Sequence, residues 1–284
     1  MPKIFTLTCN LLAQHTLNFK EVGLGEVNRA KSSEFCVGGK GVNVAAALLK
    51  FGLDATAVIF SGGRTGERCA DFLSEKGIKF LPVKTDFETR SGFVCRDENS
   101  ETSFFTEDAV LTDADFEIAM SEISKRAESG DILALCGSVP NWGIGKFSAL
   151  KTLLEKSKMR FVCDTYGAPL KDLFFWESEI LKINADEIRA FSSRSFDELK
   201  PETKAKFFGI TNGDGLAYAS VGGKTEVFVP EKIQGRAFAT GCGDVVLARL
   251  IKALAEKGEC GFSDFRSAMD FATECAARKG IFGF

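Results

Sequence analysis

The chain has 284 residues, 45% hydrophobic and 26% charged, with 36 Lys and Arg against 39 Asp and Glu and a net charge of −3. That length supports a large core, as one sizeable α/β unit or one with a small appendage, and the charge balance lacks the basic excess that nucleic-acid binding calls for. No apolar run approaches the roughly 20 residues of a membrane-spanning helix, and nine scattered cysteines without a Cys-x-x-Cys exclude a disulfide frame or zinc site and predict reduced thiols in a cytoplasmic protein.

The chain opens Met1-Pro2-Lys3-Ile4-Phe5, without the small-residue cleavage pattern of a signal peptide. Ile4 to Thr8 reads as a buried strand. Residues 15–36, broken by Gly23 and Gly25, read as an antiparallel flap. The one histidine, His15, falls there and cannot build a histidine metal cluster. Val37-Gly38-Gly39-Lys40-Gly41-Val42-Asn43 is a glycine turn that feeds a small-residue helix ending at Gly52. Asp54 to Phe60 is a strand, Ser61 to Gly66 a turn, Glu67 to Glu75 a helix and Ile78 to Val83 a strand. Ser91 to Arg96 and Thr102 to Thr106 flank Glu98-Asn99 as a hairpin, and a helix covers about Asp113 to Glu128.

From Asp131 strands and helices alternate. Predicted strands are Asp131 to Cys136, Arg160 to Cys163, Ile180 to Ile183 and Phe207 to Thr211. Predicted helices are Gly145 to Lys156, Pro169 to Phe175 and Ala185 to Phe191. A hairpin follows at Gly215 to Ser220 and Thr225 to Val229, then helices from Asp244 and over about Ser263 to Arg278. This alternation predicts a mostly parallel sheet covered on both faces. Ligands bind such sheets at the carboxyl ends of the strands. Ser138, Asp164, Asn184, Thr211 and the Gly241 turn all follow predicted strands or open helices, and so predict a polar rim.

The stretch Gly241-Cys242-Gly243-Asp244 precedes Leu247, Leu250, Ile251 and Leu254 at helical spacing. A helix N-terminus presents N–H groups without intrahelical acceptors, which suits an anion and above all a transferring phosphoryl group. An acid at that point is either a first-turn acid or a base that takes a proton from a hydroxyl.

Together these residues resemble the PfkB (ribokinase-like) carbohydrate kinases over essentially the whole chain. Gly38-Gly39-Lys40-Gly41-Val42-Asn43-Val44-Ala45 is similar to the family's N-terminal glycine motif, and Gly241-Cys242-Gly243-Asp244 to its C-terminal one. Five shorter matches lie between them in order: Gly62 to Gly66, Thr89-Arg90, Gly137 to Pro140, Asp164 to Gly167 and Lys182 to Glu187. Leu24 to Ala30 resembles the 1-phosphofructokinase and tagatose-6-phosphate kinase branch.

The resemblance implies a three-layer α/β/α sandwich with a mostly parallel central sheet and a small β-sheet lid. The expected organisation is one domain, 1–284, with lid segments at about 15–36 and 89–106. It implies ATP-dependent phosphorylation, with Mg²⁺, of a sugar hydroxyl. The expected acceptor is a phosphorylated ketose such as fructose 1-phosphate, fructose 6-phosphate or tagatose 6-phosphate. An unphosphorylated sugar or nucleoside, or a non-catalytic sugar-phosphate sensor, is the alternative.

Asp244 would be the base, and the backbone N–H groups of Gly241, Cys242 and Gly243 would hold the developing charge. Asn184 and Glu187 would serve the nucleotide phosphates, Glu187 through water on Mg²⁺, with Thr211 and Gly213 on the nucleotide side. Gly38, Gly39 and Asn43 would meet sugar hydroxyls. Arg29, Lys40, Arg90 and Ser138 would lie near the sugar phosphate. A homodimer through the lid is expected; nucleic-acid and membrane partners are not. No Gly-x-x-x-x-Gly-Lys-Ser/Thr is present, so a P-loop enzyme is not supported.

The chain departs from the family pattern at several places. Gln14 stands where the branch has an acceptor-binding Asp, and an amide donates where a carboxylate only accepts. Gly92 replaces a common Asn, and Glu107-Asp108 a Pro-Gly. Phe238 replaces a polar residue and argues against a monovalent-cation site. Cys242 replaces Ala, Val245 replaces Ser, Arg249 interrupts an apolar helix, and the chain is short after Asp244.

Overall fold

The computed structural model describes residues 1–98, 100–233 and 240–277. Among these residues the chain builds two sheets. In order the elements are β1 (Ile4–Thr8), β2 (Leu12–Asn18), β3 (Ser32–Gly38), α1 (Lys40–Lys50), β4 (Ala55–Ser61), α2 (Gly63–Glu75), β5 (Phe80–Lys84), β6 (Arg90–Arg96) and β7 (Glu101–Phe105). They continue with α3 (Asp113–Ser124), β8 (Ile132–Cys136), α4 (Ile144–Ser157), β9 (Arg160–Asp164), α5 (Ala168–Leu173), β10 (Ser178–Asn184) and α6 (Ala185–Phe191). The last are α7 (Phe196–Leu199), β11 (Ala205–Thr211), β12 (Ala217–Val221), β13 (Lys224–Phe228), α8 (Cys242–Lys257) and α9 (Phe262–Ala277).

The large sheet has nine strands in the order β13-β12-β11-β10-β9-β8-β1-β4-β5, and the small one four, β3-β2-β6-β7. In the large sheet β4, β5 and β8 to β11 run parallel with β1, while β12 and β13 turn back antiparallel at one edge. The period of two along each strand divides the core. Ile4, Ala57, Ile59, Ile132 and Ala134 face α1, α8 and α9, whereas Phe5, Leu7, Val58, Phe60, Leu133 and Leu135 face α3, α4 and α5. Helices therefore cover both faces, in the α/β arrangement that the alternation predicts.

Two neighbours in this sheet send the chain in opposite directions. After β1 the chain passes through the small sheet to α1 on one face; after β8 it passes to α4 on the other. Loops that diverge from adjacent parallel strands leave a crevice at their carboxyl ends. The register pairs Thr8 with Cys136 and Cys136 with Asp164 at one level, and Asn184 with Thr211 two residues further along, so these strand ends line one rim.

α1 approaches that rim closely. A Cβ on Gly41 would press into Thr8 Oγ1 and lie 2.8 Å from the Leu7 carbonyl oxygen. Gly41→Ala is expected to lower stability by about 1–3 kcal/mol, the usual effect of forcing extra volume into a packed contact. A thermal melt of the variant checks this.

Several element bounds differ from those the sequence suggests. α2 begins at Gly63, not Glu67, because the glycines are in its first turn. Gly62 exchanges hydrogen bonds with Thr89, donating its N–H to Thr89 Oγ1 at 3.0 Å and accepting from Thr89 N at 3.0 Å. Side chains at 62 and 66 would collide with Thr85, Phe87 and Thr89. The small sheet takes in Leu12 and Ala13 as well, both buried. α3 stops at Ser124, with a turn closing over Arg126 and Ala127. α7 is a turn of helix that the sequence reading passed over; its Ser195 and Glu198 form a capping box, and Phe196 stacks on Phe208 and Tyr218. α8 starts at Cys242, two residues before Asp244. No helix among the described residues is long and apolar enough to cross a membrane.

Candidate active site

The centre of the site is the N-terminus of α8. Gly241 is its N-cap in the left-handed region, at φ 84°, a conformation that favours glycine. Asp244 N and Val245 N both bond to the Gly241 carbonyl oxygen, at 3.0 and 3.1 Å, which closes the turn. The first N–H groups of the helix are then aimed outward without intrahelical acceptors. A Cβ on Gly243 would lie 2.8 Å from Lys182 Nζ, so an ammonium stands directly beside this turn.

Asp244, on the third residue of α8, is 5% exposed. Asn43, on the facing turn of α1, donates Nδ2–H to Asp244 Oδ2 at 2.7 Å. Burial pushes the Asp244 carboxyl up to about 6; Lys40 and the Asn43 hydrogen bond oppose this, and the Asp164 charge adds to it. A carboxyl poised near neutrality, with one oxygen held and one left to act, is suited to accepting a proton from a hydroxyl.

Below it lies a chain of alternating charges. Asp164, at the end of β9 and fully buried, receives Lys182 Nζ at 2.8 Å on one oxygen and Lys40 Nζ at 2.7 Å on the other. Lys40 also reaches Glu187 Oε1 at 2.6 Å. Although burial pushes the Asp164 carboxyl up, the two ammonium groups outweigh it and hold the carboxyl below its usual value. Burial likewise works against the Lys40 charge, but Asp164, Glu187 and Asp244 together raise its pKa.

Asn184 and Glu187 cap α6 reciprocally. Asn184 Oδ1 accepts from Glu187 N at 2.8 Å, and Asn184 N donates to Glu187 Oε2 at 2.9 Å. Glu187 thus caps a helix with one oxygen and holds Lys40 with the other. Thr211 pairs with Asn184 across the sheet, and Gly213, at φ 55°, turns the chain just beyond it.

A second cluster lies where the loops after β1 and β8 diverge. Asn10 Nδ2 donates to Ser138 Oγ at 3.0 Å and to Asp108 Oδ1 at 2.8 Å. Arg90, the first residue of β6, donates to Asp108 Oδ1 at 2.9 Å and to the Asn10 carbonyl oxygen at 3.3 Å. Between the clusters, Gly39 leads α1 past Thr8, where a Cβ would meet Thr8 Cγ2 at 2.5 Å. Gln14 lies in β2 between Cys36 and Gly92, its Oε1 3.5 Å from where a Cβ on Gly38 would sit, and its Nε2 donates to Thr16 Oγ1 at 3.2 Å. Thr240 Oγ1 donates to Glu101 Oε1 at 2.7 Å, which ties β7 of the small sheet to the turn before α8.

The structure therefore gathers Asp244, Gly241, Cys242, Gly243, Asn43, Lys40, Asn184 and Glu187 in one place, with Gly38, Gly39, Gln14, Arg90 and Ser138 beside them. It does not bring Arg29 in: Arg29 is exposed in the loop between β2 and β3 and makes no hydrogen bond or ion pair with another described residue. Lys40 extends to Asp164 and Glu187, its stem running past Gly137, where an added Cβ would lie 3.4 Å from Lys40 Cβ.

The structure adds Lys182, Asn10 and Asp108 to this candidate site and gives the rim residue Asp164 two ion-pair partners. The motif around Asn184 held Lys182 in plain view, two residues away. Some departures also gain reasons. A Cβ on Gly92 would press into the Phe105 ring and lie 2.7 Å from the Phe104 carbonyl oxygen. Val245 is buried in the core. The Cys242 thiol meets the Ala272 carbonyl oxygen of α9 at 3.6 Å. Arg249 lies over the rings of Phe51 and Phe271, at 5.4 and 4.8 Å, and donates to Ser267 Oγ at 2.9 Å, so it ties α8 to α9 and to the end of α1. Phe238, and with it the question of a monovalent cation, lies outside the described residues.

A parallel α/β sheet with a crevice at its switch point, an open helix N-terminus and a buried, raised carboxyl beside it define a phosphoryl-transfer scaffold. Comparison with known proteins gives the family: the pfkB family of carbohydrate kinases matches residues 8–279, and the chain belongs to it. It is 25% identical to a 1-phosphofructokinase of Borreliella burgdorferi over 99% of this chain and 94% of that one. To the ATP-dependent 6-phosphofructokinase isozyme 2 of Escherichia coli it is 27% identical, over 90% and 87%. Among solved structures, phosphofructokinase-2 of Escherichia coli in complex with substrates and products superposes with a TM-score of 0.87 at 23% identity, over 97% and 93% of the two chains. The ribokinase of Giardia lamblia does so with 0.76 at 18%, over 99% and 94%. The fold is thus the ribokinase-like α/β sandwich with a small accessory sheet.

Proposed function

We propose that this carbohydrate kinase transfers the γ-phosphoryl group of ATP to a hydroxyl of a phosphorylated ketose such as fructose 1-phosphate, fructose 6-phosphate or tagatose 6-phosphate. The observation that carries the chemistry is the buried Asp244 carboxyl, held by Asn43 one residue beyond the open N–H groups of α8. In this reading Asp244 takes the proton of the attacking hydroxyl. The N–H groups of Gly241, Cys242 and Gly243, with Lys182 beside them, hold the charge on the transferring group. Phosphoryl transfer asks chiefly for such positioning and charge. Asn184, Thr211 and Gly213 serve the nucleotide side, and Gln14, Gly38, Gly39 and Asn43 the acceptor hydroxyls.

The names of the relatives support the acceptor class, and Arg90 with Ser138 gives its phosphate a seat. Arg29, on an exposed loop, would join only on movement of the small sheet or from a second subunit.

The donor set fits Mg²⁺ held on the nucleotide through water. Among the described residues no group of three His, Cys, Asp or Glu side chains could cage a metal. Glu187, with Oε1 on Lys40 and Oε2 on the α6 cap, would reach the ion only through water, and Mg²⁺ characteristically keeps several waters. When bound, the ion would neutralise charge on the phosphate oxygens.

The whole chain acts as one unit in this reading, with the small sheet as a lid that shuts out water; the Thr240–Glu101 link supports this. A homodimer through that sheet and a cytoplasmic location are part of the proposal. Phe93 and Phe104, register partners on β6 and β7, are about half exposed and supply an apolar face for a second subunit.

The test is ADP release from ATP and Mg²⁺ across phosphorylated ketoses, free hexoses, ribose and nucleosides. Turnover confined to neutral acceptors overturns the acceptor class and keeps the kinase; ATP binding without turnover on any acceptor favours a sensor. Within the panel, Arg90→Ala should raise KM for a phosphorylated ketose tenfold or more, as loss of charge-assisted hydrogen bonds of about 1.5–3 kcal/mol requires. Equal effects on a neutral acceptor would remove the phosphate role.

A further inference from the structure

Asp108 stands where it takes the hydrogen bonds an acceptor phosphate needs. Its Oδ1 collects Arg90 Nη1 at 2.9 Å and Asn10 Nδ2 at 2.8 Å. The rest of the guanidinium is poorly served: Nη2 reaches the Asn10 carbonyl oxygen at 3.3 Å, and Nε is buried without a hydrogen-bond partner. Such a buried donor is costly to leave unmade. The two partners differ in how they are held. The Arg90 side chain is 16% exposed and lies 5.6 Å from the Phe105 ring, whereas the Asp108 side chain is 64% exposed. The arginine is set by its surroundings; the carboxylate is at the mouth and can leave.

We infer that Asp108 is a specificity-determining residue, an internal carboxylate that competes with the acceptor's phosphate for Arg90 and Asn10. The inference rests on the reading of Arg90 and Ser138 as the phosphate seat. A monodentate carboxylate leaves Nε unpaired, while a phosphate monoester, with three terminal oxygens and a planar donor fork to match, can serve it. The incoming dianion must displace Asp108 and then remain near its charge. The site is thereby biased against weakly held anions and admits a phosphorylated acceptor only when the sugar's own contacts add to the phosphate's. Glu107, the neighbouring acid, is exposed and accepts from neither donor.

The experiment titrates inorganic phosphate calorimetrically into the unaltered protein, Asp108→Asn, Arg90→Ala and the double variant. Asparagine keeps an oxygen for Asn10 to donate to, so the change removes charge rather than shape, and a thermal melt verifies folding. Asp108→Asn should tighten phosphate binding about tenfold, and the gain should vanish when Arg90 is also replaced. Unchanged or weaker binding in Asp108→Asn overturns the inference. So does an equal gain with and without Arg90, which would make Asp108 a diffuse charge rather than a competitor. If the acceptor panel shows turnover of neutral sugars alone, the acceptor class proposed above falls, while the phosphate titration still decides the role of Asp108.

Discussion

Asp244→Asn should lower kcat by about 10²–10⁴, the span a positioned general base contributes, and should at the same time make the protein more stable at pH 7. Asp244 titrates near 6 in the fold against 3.8 for an ordinary aspartate. A raised carboxyl binds its proton more tightly in the folded chain than in the unfolded one. Its stabilising contribution is therefore complete below about pH 4 and is lost as pH rises through 6. At pH 7 the ionised carboxylate is a net cost, about 2–3 kcal/mol at 1.36 kcal/mol per pH unit, and the amide relieves it. Activity and thermal melting of the same variant, measured together, check both halves. Loss of turnover with unchanged or lowered stability would show that Asp244 is not strained by its burial. In the unaltered enzyme kcat/KM should fall tenfold per pH unit below about 6, because only the ionised form can take the proton.

Asp164→Asn should act in the opposite sense on stability. Asp164 is fully buried between Lys182 and Lys40, and the Lys182 side chain is 2% exposed. The amide leaves Lys182 as a buried cation without its ion-pair partner, which costs about 3–5 kcal/mol and should lower the melting temperature by roughly 10 °C in a chain of this size. Lys40 keeps Glu187, so the greater part of the loss belongs to Lys182. Because the folded carboxyl is depressed, the stability it supplies is in place above its unfolded pKa and is lost as pH falls below about 4. Urea unfolding at pH 7 and pH 3 measures this: the variant and the unaltered protein should differ widely at the first and converge toward the second. A constant difference would place the pair outside the folding equilibrium.

Much of this arrangement is visible in the sequence, for reasons that differ by element. Parallel strands covered on both faces read as short apolar runs, so β1, β8 and β9 are found nearly to the residue. Glycine turns that open helices announce α1 and α8. The same residue type misleads at Gly63 and Gly66, which lie inside the first turn of α2 against Glu88 and Thr89 of the loop before β6, Gly63 with φ 64°. A capping box and the proposed nucleotide-side pair share one pattern at Asn184 and Glu187, and the structure shows the cap in use alongside the contact to Lys40. What no local pattern reveals is convergence. Asp108 takes its meaning from Arg90 and Asn10, Lys182 from Asp164, and Arg249 from Phe51 and Phe271, each on a different segment.

The diverging loops at β1 and β8 have a consequence for how the enzyme comes into being. They draw the site from segments spread along almost the entire polypeptide, from Asn10 through Asn43, Arg90, Ser138 and Asp164 to Asp244. A chain leaving the ribosome from its N-terminus completes seven parallel strands of the large sheet before α8, which carries Asp244, is made. The cluster of Asn10, Arg90 and Ser138 can therefore fold early, whereas Asp244 and the Gly241–Gly243 turn, the proposed base and phosphoryl seat, arrive together and late.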